Sequence, residues 1–167
     1  MSTYTTNTGI EKPATGAQSG TWGATVNTNF DIIDRAINGV GAVTLSGGTH
    51  TLTTSDGSTS DGQYKLIVFG GSLSGANTIT ISPNDADKIF FVYNNTSGSQ
   101  NIVFSQGSGA NVTVPNGTTK IIYADGGGSG AIVADLTDKF AMGSVDIDGG
   151  AIDGTVIGAN SAAAATV

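Results

Sequence analysis

Between Val43 and Leu136 the chain changes side-chain character every second residue, and a cluster of turn formers cuts the alternation after each short run. A chain with this period has no stretch long enough to bury one face as a helix, so it must satisfy its backbone by pairing strands. The runs are "VTL", "THTLTT", "YKLIVFG", "NTITISP", "KIFFVYNN", "QNIVFSQ", "NVTVP", "TKIIYAD" and "GAIVAD". Between them stand "SDGSTSDGQ", "GGSLSG", "PNDAD", "TSGS", "GSGA" and "PNG", each with a residue suited to positive φ. About nine short strands at this spacing predict a mainly β domain over 43–140, an antiparallel β-sandwich or jelly roll. "KIFFVYNN", a continuous apolar run, reads as a strand buried on both faces.

Ahead of the strands the period is different. Trp22, Val26, Phe30, Ile33 and Ile37 recur at steps of four, four, three and four, one face of an α-helix over about 21–38 in a segment 21–40. Thr21 or Ser19 is placed to cap its start, and Gly39 to close its end in a left-handed conformation. The apolar stripe has two readings: a strut packed under the strands, or a docking and trimerising element. Residues 1–20, punctuated by Gly9, Pro13, Gly16 and Gly20, read as an extended arm.

The tail over 141–167 is rich in glycine and alanine, and its Ile147, Ile152 and Ile157 lie five apart, on neither a helix face nor a strand face. Three isoleucines cannot offset the ordering of some twenty residues, at about 1–2 kcal/mol of backbone entropy each. Three copies wound together could, which predicts a homotrimer with a shaft-like tail.

Composition narrows the function. The six Lys and Arg residues stand singly at 12, 35, 65, 88, 120 and 139 in a chain of net charge −7, so nothing tracks a phosphate backbone and no nucleic-acid partner is expected. Without cysteine there is neither a disulfide framework nor a thiolate zinc site. No apolar run approaches the ~18 residues of a membrane span, and "MSTYTTNTGIEKP" lacks the basic and apolar regions of a signal peptide. Glycine numbers 26 and charged residues only 11%, so serine, threonine and asparagine wet the surface. An exported look without an export signal fits a virion released by lysis.

Candidate chemistry is thin. In "DIDGGAIDGTVIG" Asp146, Asp148 and Asp153 suggest a calcium loop, but Ala151 stands where an EF-hand needs glycine and Ile157 where it needs glutamate. Gly126, Gly128 and Ala131 imitate a dinucleotide fingerprint, yet no helix and no further βαβ unit follow, so a hairpin loop is the better reading. His50, the one histidine, has no flanking acid or nucleophile and reads as a solvent-facing strand residue. Asp85 with Asp87 and Asp135 with Asp138 fall near turns. The N-x-T triplets at Asn94, Asn111 and Asn116 read as turn-edge asparagines. No enzyme activity, metal or cofactor is expected.

"GIEKPATGAQSGTWGATVNTNFDIIDRAI", with Trp22, Asn27, Asn29, Phe30 and Ile33, resembles the opening segment of many phage tail-fibre and related virion proteins, especially from marine phages. The stretch from "LIVFGG" to "YADG" looks like the β-domain that follows there, around Pro83, Asn94-Asn95-Thr96, Asn116-Gly117 and Asp125-Gly126. "GGAIDGTVIGANSAAAATV" is similar to a linker into a fibre shaft. The resemblance implies a non-enzymatic virion structural protein, homotrimeric, forming the particle-attaching part of a tail fibre. Its partners would be tail-tube, adaptor or portal-region proteins, with host surface glycan reached through a distal region. A capsid decoration or head-fibre protein is the alternative. A carbohydrate-binding module would need exposed aromatics on a sheet face.

Overall fold

The computed structural model describes residues 1–139. The glycine-rich tail, with the calcium reading at Asp146, Asp148 and Asp153 and the isoleucines Ile147, Ile152 and Ile157, lies outside the described residues. Over the described residues the protein is mainly β, with mixed sheets and one α-helix.

Two short strands, β1 (Thr3–Tyr4) and β2 (Glu11–Lys12), pair antiparallel in the arm, and α1 (Trp22–Asn38) follows. Then come β3 (Val40–Thr44), β4 (Thr49–Thr53), β5 (Leu66–Gly70), β6 (Asn77–Ser82), β7 (Asp87–Asn94) and β8 (Ile102–Ser105). The series ends with β9 (Val112–Val114), β10 (Thr119–Asp125) and β11 (Val133–Asp135), so each period-two run has its strand.

The pairing corrects the expected antiparallel arrangement. One sheet has the order β11-β10-β7-β5-β3 and the other β4-β6-β8-β9. Within them β3, β5 and β7 run parallel, as do β4, β6 and β8; β10 and β11 in the first sheet and β9 in the second join antiparallel. The cause is the route of the chain. From β3 to β8 it crosses to the other sheet after every strand, so it returns to each sheet in the direction it left. Strand alternation alone does not say which neighbour a strand will take.

The result is a stack of coils in close register. Leu66 pairs with Phe91, Ser72 with Ser97 and Asn77 with Ile102, a constant step of 25 residues through strand, corner and strand. Main-chain bonds continue around the corner: Asn95 N–H donates to Phe69 O at 2.8 Å, Ser97 N–H to Gly71 O at 2.8 Å and Leu73 N–H to Ser97 O at 3.1 Å. Such close stacking excludes side chains at one position per corner. At Gly98, with φ at 95°, a Cβ would lie 2.0 Å from Leu73 O.

Both sheets turn their alternate residues into one buried cluster that includes Phe69, Phe90 and Phe104. β7 is not buried on both faces as its composition suggested: Phe90 and Val92 point inward, while Ile89 and Phe91 face out. Asn94, the last residue of β7, does stand at the edge of a corner, but inside the core and not in solvent. Fully buried, it donates to Gln100 O and Val114 O, both at 3.0 Å, and accepts from the Thr96 hydroxyl at 2.7 Å. A buried amide with partners on three segments ties a corner together where an apolar side chain would leave carbonyls unmet.

The arm is seated against the coils. Gly9 is buried, its φ at 69°, where a Cβ would come within 2.2 Å of Ser55 O. Gln63 donates to Thr8 O at 2.9 Å, and the main-chain N–H of Asp87 donates to Asn7 Oδ1 at 3.0 Å. Lys88, also buried, donates to the carbonyls of Asn7 and Gly62.

Candidate functional site

Among the described residues, helix α1 is held from one side only. Ile32 is fully buried, Asn29 brackets the Glu11 backbone with two bonds of 2.9 Å, and the Arg35 guanidinium sits 4.6 Å over the Tyr64 ring. Gly39 then leads straight into β3 in an extended conformation (φ −68°, ψ 135°), not the expected left-handed cap. Its lack of a side chain matters for space, since a Cβ would meet Arg35 O at 2.6 Å. Thr21 precedes the helix without a side-chain capping bond.

This seating leaves the apolar stripe outside. Trp22, Phe30 and Ile37 are 63%, 62% and 61% exposed, Ile33 is 37% exposed, and Val26 is half-buried. The stripe is therefore no strut beneath the strands; Ile32, one position off it, has that task. The exposed apolar surface continues through Val40, and Phe91 stands two strands away in register on the outer face of the same sheet. Together these side chains offer about 500–700 Å², at the upper end of the 300–600 Å² of a typical monomer's largest patch and approaching one side of a standard interface.

Comparison with protein-family models, with curated proteins and with solved structures found no match.

The candidate polar groups each have a definite place in the fold. His50 is half-buried, not solvent-facing, and its Nε2 is buried with no hydrogen-bond partner among the described residues. Burial without a charged partner lowers the Lys88 pKa to about 8, the kind of shift a catalytic amine shows. Yet its protons are directed at two main-chain carbonyls, and the adjoining cavity of about 140 Å³ falls below the ~300 Å³ of small ligand pockets. Lys88 reads as a clasp for the arm. Asp85 and Asp87 flank the turn into β7, where Gly126 packs against them. Asp135 pairs with Lys120 at 2.6 Å. Burial pushes the Asp135 carboxyl upward, but bonds from Lys120 and Thr137 outweigh it and hold the pKa below the usual value. Gly126, Gly128 and Ala131 lie in the loop between the antiparallel β10 and β11, with Gly127 N–H and Ile132 N–H both donating to Asp125 Oδ1. Among the described residues no three His, Cys, Asp or Glu side chains group as metal ligands.

The sequence singled out the helical stripe but missed the buried Lys88 and Asn94. Each stands at an end of the apolar run of β7 beside a second polar residue, Asp87 or Asn95, and only the inward phase of the strand marks it out.

Proposed function

We propose that this chain is a non-enzymatic structural protein of a phage virion, the particle-attaching part of a tail fibre, that assembles as a homotrimer. The observation that carries the reading is the apolar stripe Trp22–Ile37, held outward by a helix whose opposite side is pinned to the arm and to Tyr64. A surface of this area stays soluble by meeting another protein surface. The two-sheet domain acts as a spacer, a sandwich in its layering, and the segment from 141 leads into a shaft. The resemblance of residues 9–37 to fibre openings supplies the biological setting: a virion, with other virion proteins as neighbours and host glycan contacted distally.

Sedimentation of the full chain at micromolar concentration tests the assembly. A multiple of three chains, lost in Phe30→Ser, supports the reading; a stable monomer overturns it. Gold labelling of intact particles tests the setting, with label at the tail expected and label on the head favouring a decoration protein.

A further inference from the structure

The first coil ends the stack with an open rung. Gly39 O accepts from Leu66 N–H at 3.2 Å and Leu45 N–H donates to Gly70 O at 2.8 Å, so Gly41 and Val43 between them turn their backbone groups toward β5. Val40, Ala42 and Thr44 therefore turn theirs the other way. In the second sheet Gly48 O accepts from Thr78 N–H at 2.8 Å and Thr54 N–H donates to Ser82 O at 2.7 Å, which leaves Thr49, Thr51 and Thr53 facing outward. β3 and β4 stand at the ends of their sheets, and no described segment pairs with them.

Exposed edges are ordinarily blunted by lysine, proline or inward charge. Residues 39–54 contain no Asp, Glu, Lys, Arg or Pro. The opposite edge of the first sheet differs, since β11 carries Asp135, ion-paired with Lys120 of β10.

We infer that this rung is a strand-pairing interface between two copies of the chain, stacked first coil against first coil about a two-fold axis. Three features select a second copy. The strands are equally long, five residues each, with centres at Ala42 and Thr51. One axis perpendicular to the sheets sets each centre opposite its own counterpart, so β3 and β4 each pair antiparallel with themselves. The outward residues then meet as hydrogen-bonded pairs, giving about twelve backbone bonds, within the range of a specific interface. Finally, two chains of net charge −7 repel, and an uncharged rung lets them meet without setting like charges side by side. The inference does not depend on the helical stripe, which is made of other residues apart from Val40.

The test uses the full chain. Lysine at Ala42 and Thr51 (Ala42→Lys with Thr51→Lys) places like charges across the axis while leaving the packed core untouched, because both side chains are exposed. Where the trimer of the proposed function also forms, the wild-type mass by sedimentation is expected to be six chains and to fall to three in the variant; without that trimer it is two chains, falling to one. Phe30→Ser alone should leave the pairing by two intact. Amide exchange on the wild type needs no variant: the N–H groups of residues 40, 42, 44, 49, 51 and 53 should be protected at high concentration and exchange freely on dilution. An odd-numbered assembly, an unchanged mass in the variant, or protection independent of concentration, as when residues beyond 139 cover the rung, would each overturn the inference.

Discussion

The rings of Phe69 and Phe104 meet edge to face across the space between the two sheets, their centroids 5.6 Å apart and their planes at 74°. Phe69 belongs to the second coil and Phe104 to the third, so the contact joins neighbouring rungs as well as opposite sheets. Phe104→Ala should cost about 3–5 kcal/mol in denaturant unfolding, because the cavity lies between layers that cannot close independently. Combining it with Phe69→Ala should reveal a coupling of about 0.5–1.5 kcal/mol. Strictly additive losses would show that the rings do not act as a pair.

Corner geometry gives a sharper contrast. Gly98→Ala places a methyl against the Leu73 carbonyl in a backbone conformation that alanine avoids, and should cost more than about 2 kcal/mol. Gly75→Ala, also near a corner but with open space around it, should stay within about 0.5 kcal/mol. Equal melting temperatures for the two variants would contradict the stacking register.

Lys88 makes stability depend on alkaline pH. Its pKa is about 8 folded against 10.5 for the free side chain, so between these values the unfolded chain binds more protons and stability rises with pH. The full rise is at most about 3 kcal/mol. It is absent below about pH 8, where the amine is charged in both states. Comparing wild type with Lys88→Met from pH 7 to 10 isolates this contribution from tyrosine titration. Parallel pH profiles would show that the amine is not buried in solution.

Trp22 is the chain's one tryptophan and lies on the exposed stripe. Its emission should be that of a hydrated indole at high dilution and shift to the blue as concentration rises. Phe30→Ser should suppress the shift without lowering the unfolding free energy of the single chain by more than about 0.5 kcal/mol. Concentration-independent emission would separate the stripe from assembly.

How far the residues foretold this molecule varies by element. The strands were legible where an inward apolar residue, such as Ile79 or Ile81, is followed by an outward polar one, and from their length between turn formers elsewhere. Their direction was not, since alternation is the same in a hairpin and in a coil. The weak likeness between Leu66–Phe69 and Phe91–Asn94, 25 residues on, and the serines Ser72 and Ser97 at the same step, were the traces of it. The helix was legible from its spacing, but the side that would pack was not. Ile32 is buried because Asn29 and Arg35 anchor the helix beside Glu11 and Tyr64, partners that the helical period does not name. Lys88 was invisible as a buried residue for the same reason: its partners are carbonyls of a distant arm.

The fixed 25-residue step from the second coil to the third also sets a rule for change in length. Removing one residue from a coil would turn every later side chain of that coil to the wrong side, whereas inserting a whole coil would preserve every facing and raise the stack by about 4.8 Å. Natural lengthening of such a chain is thus quantised, and its height is a count of units.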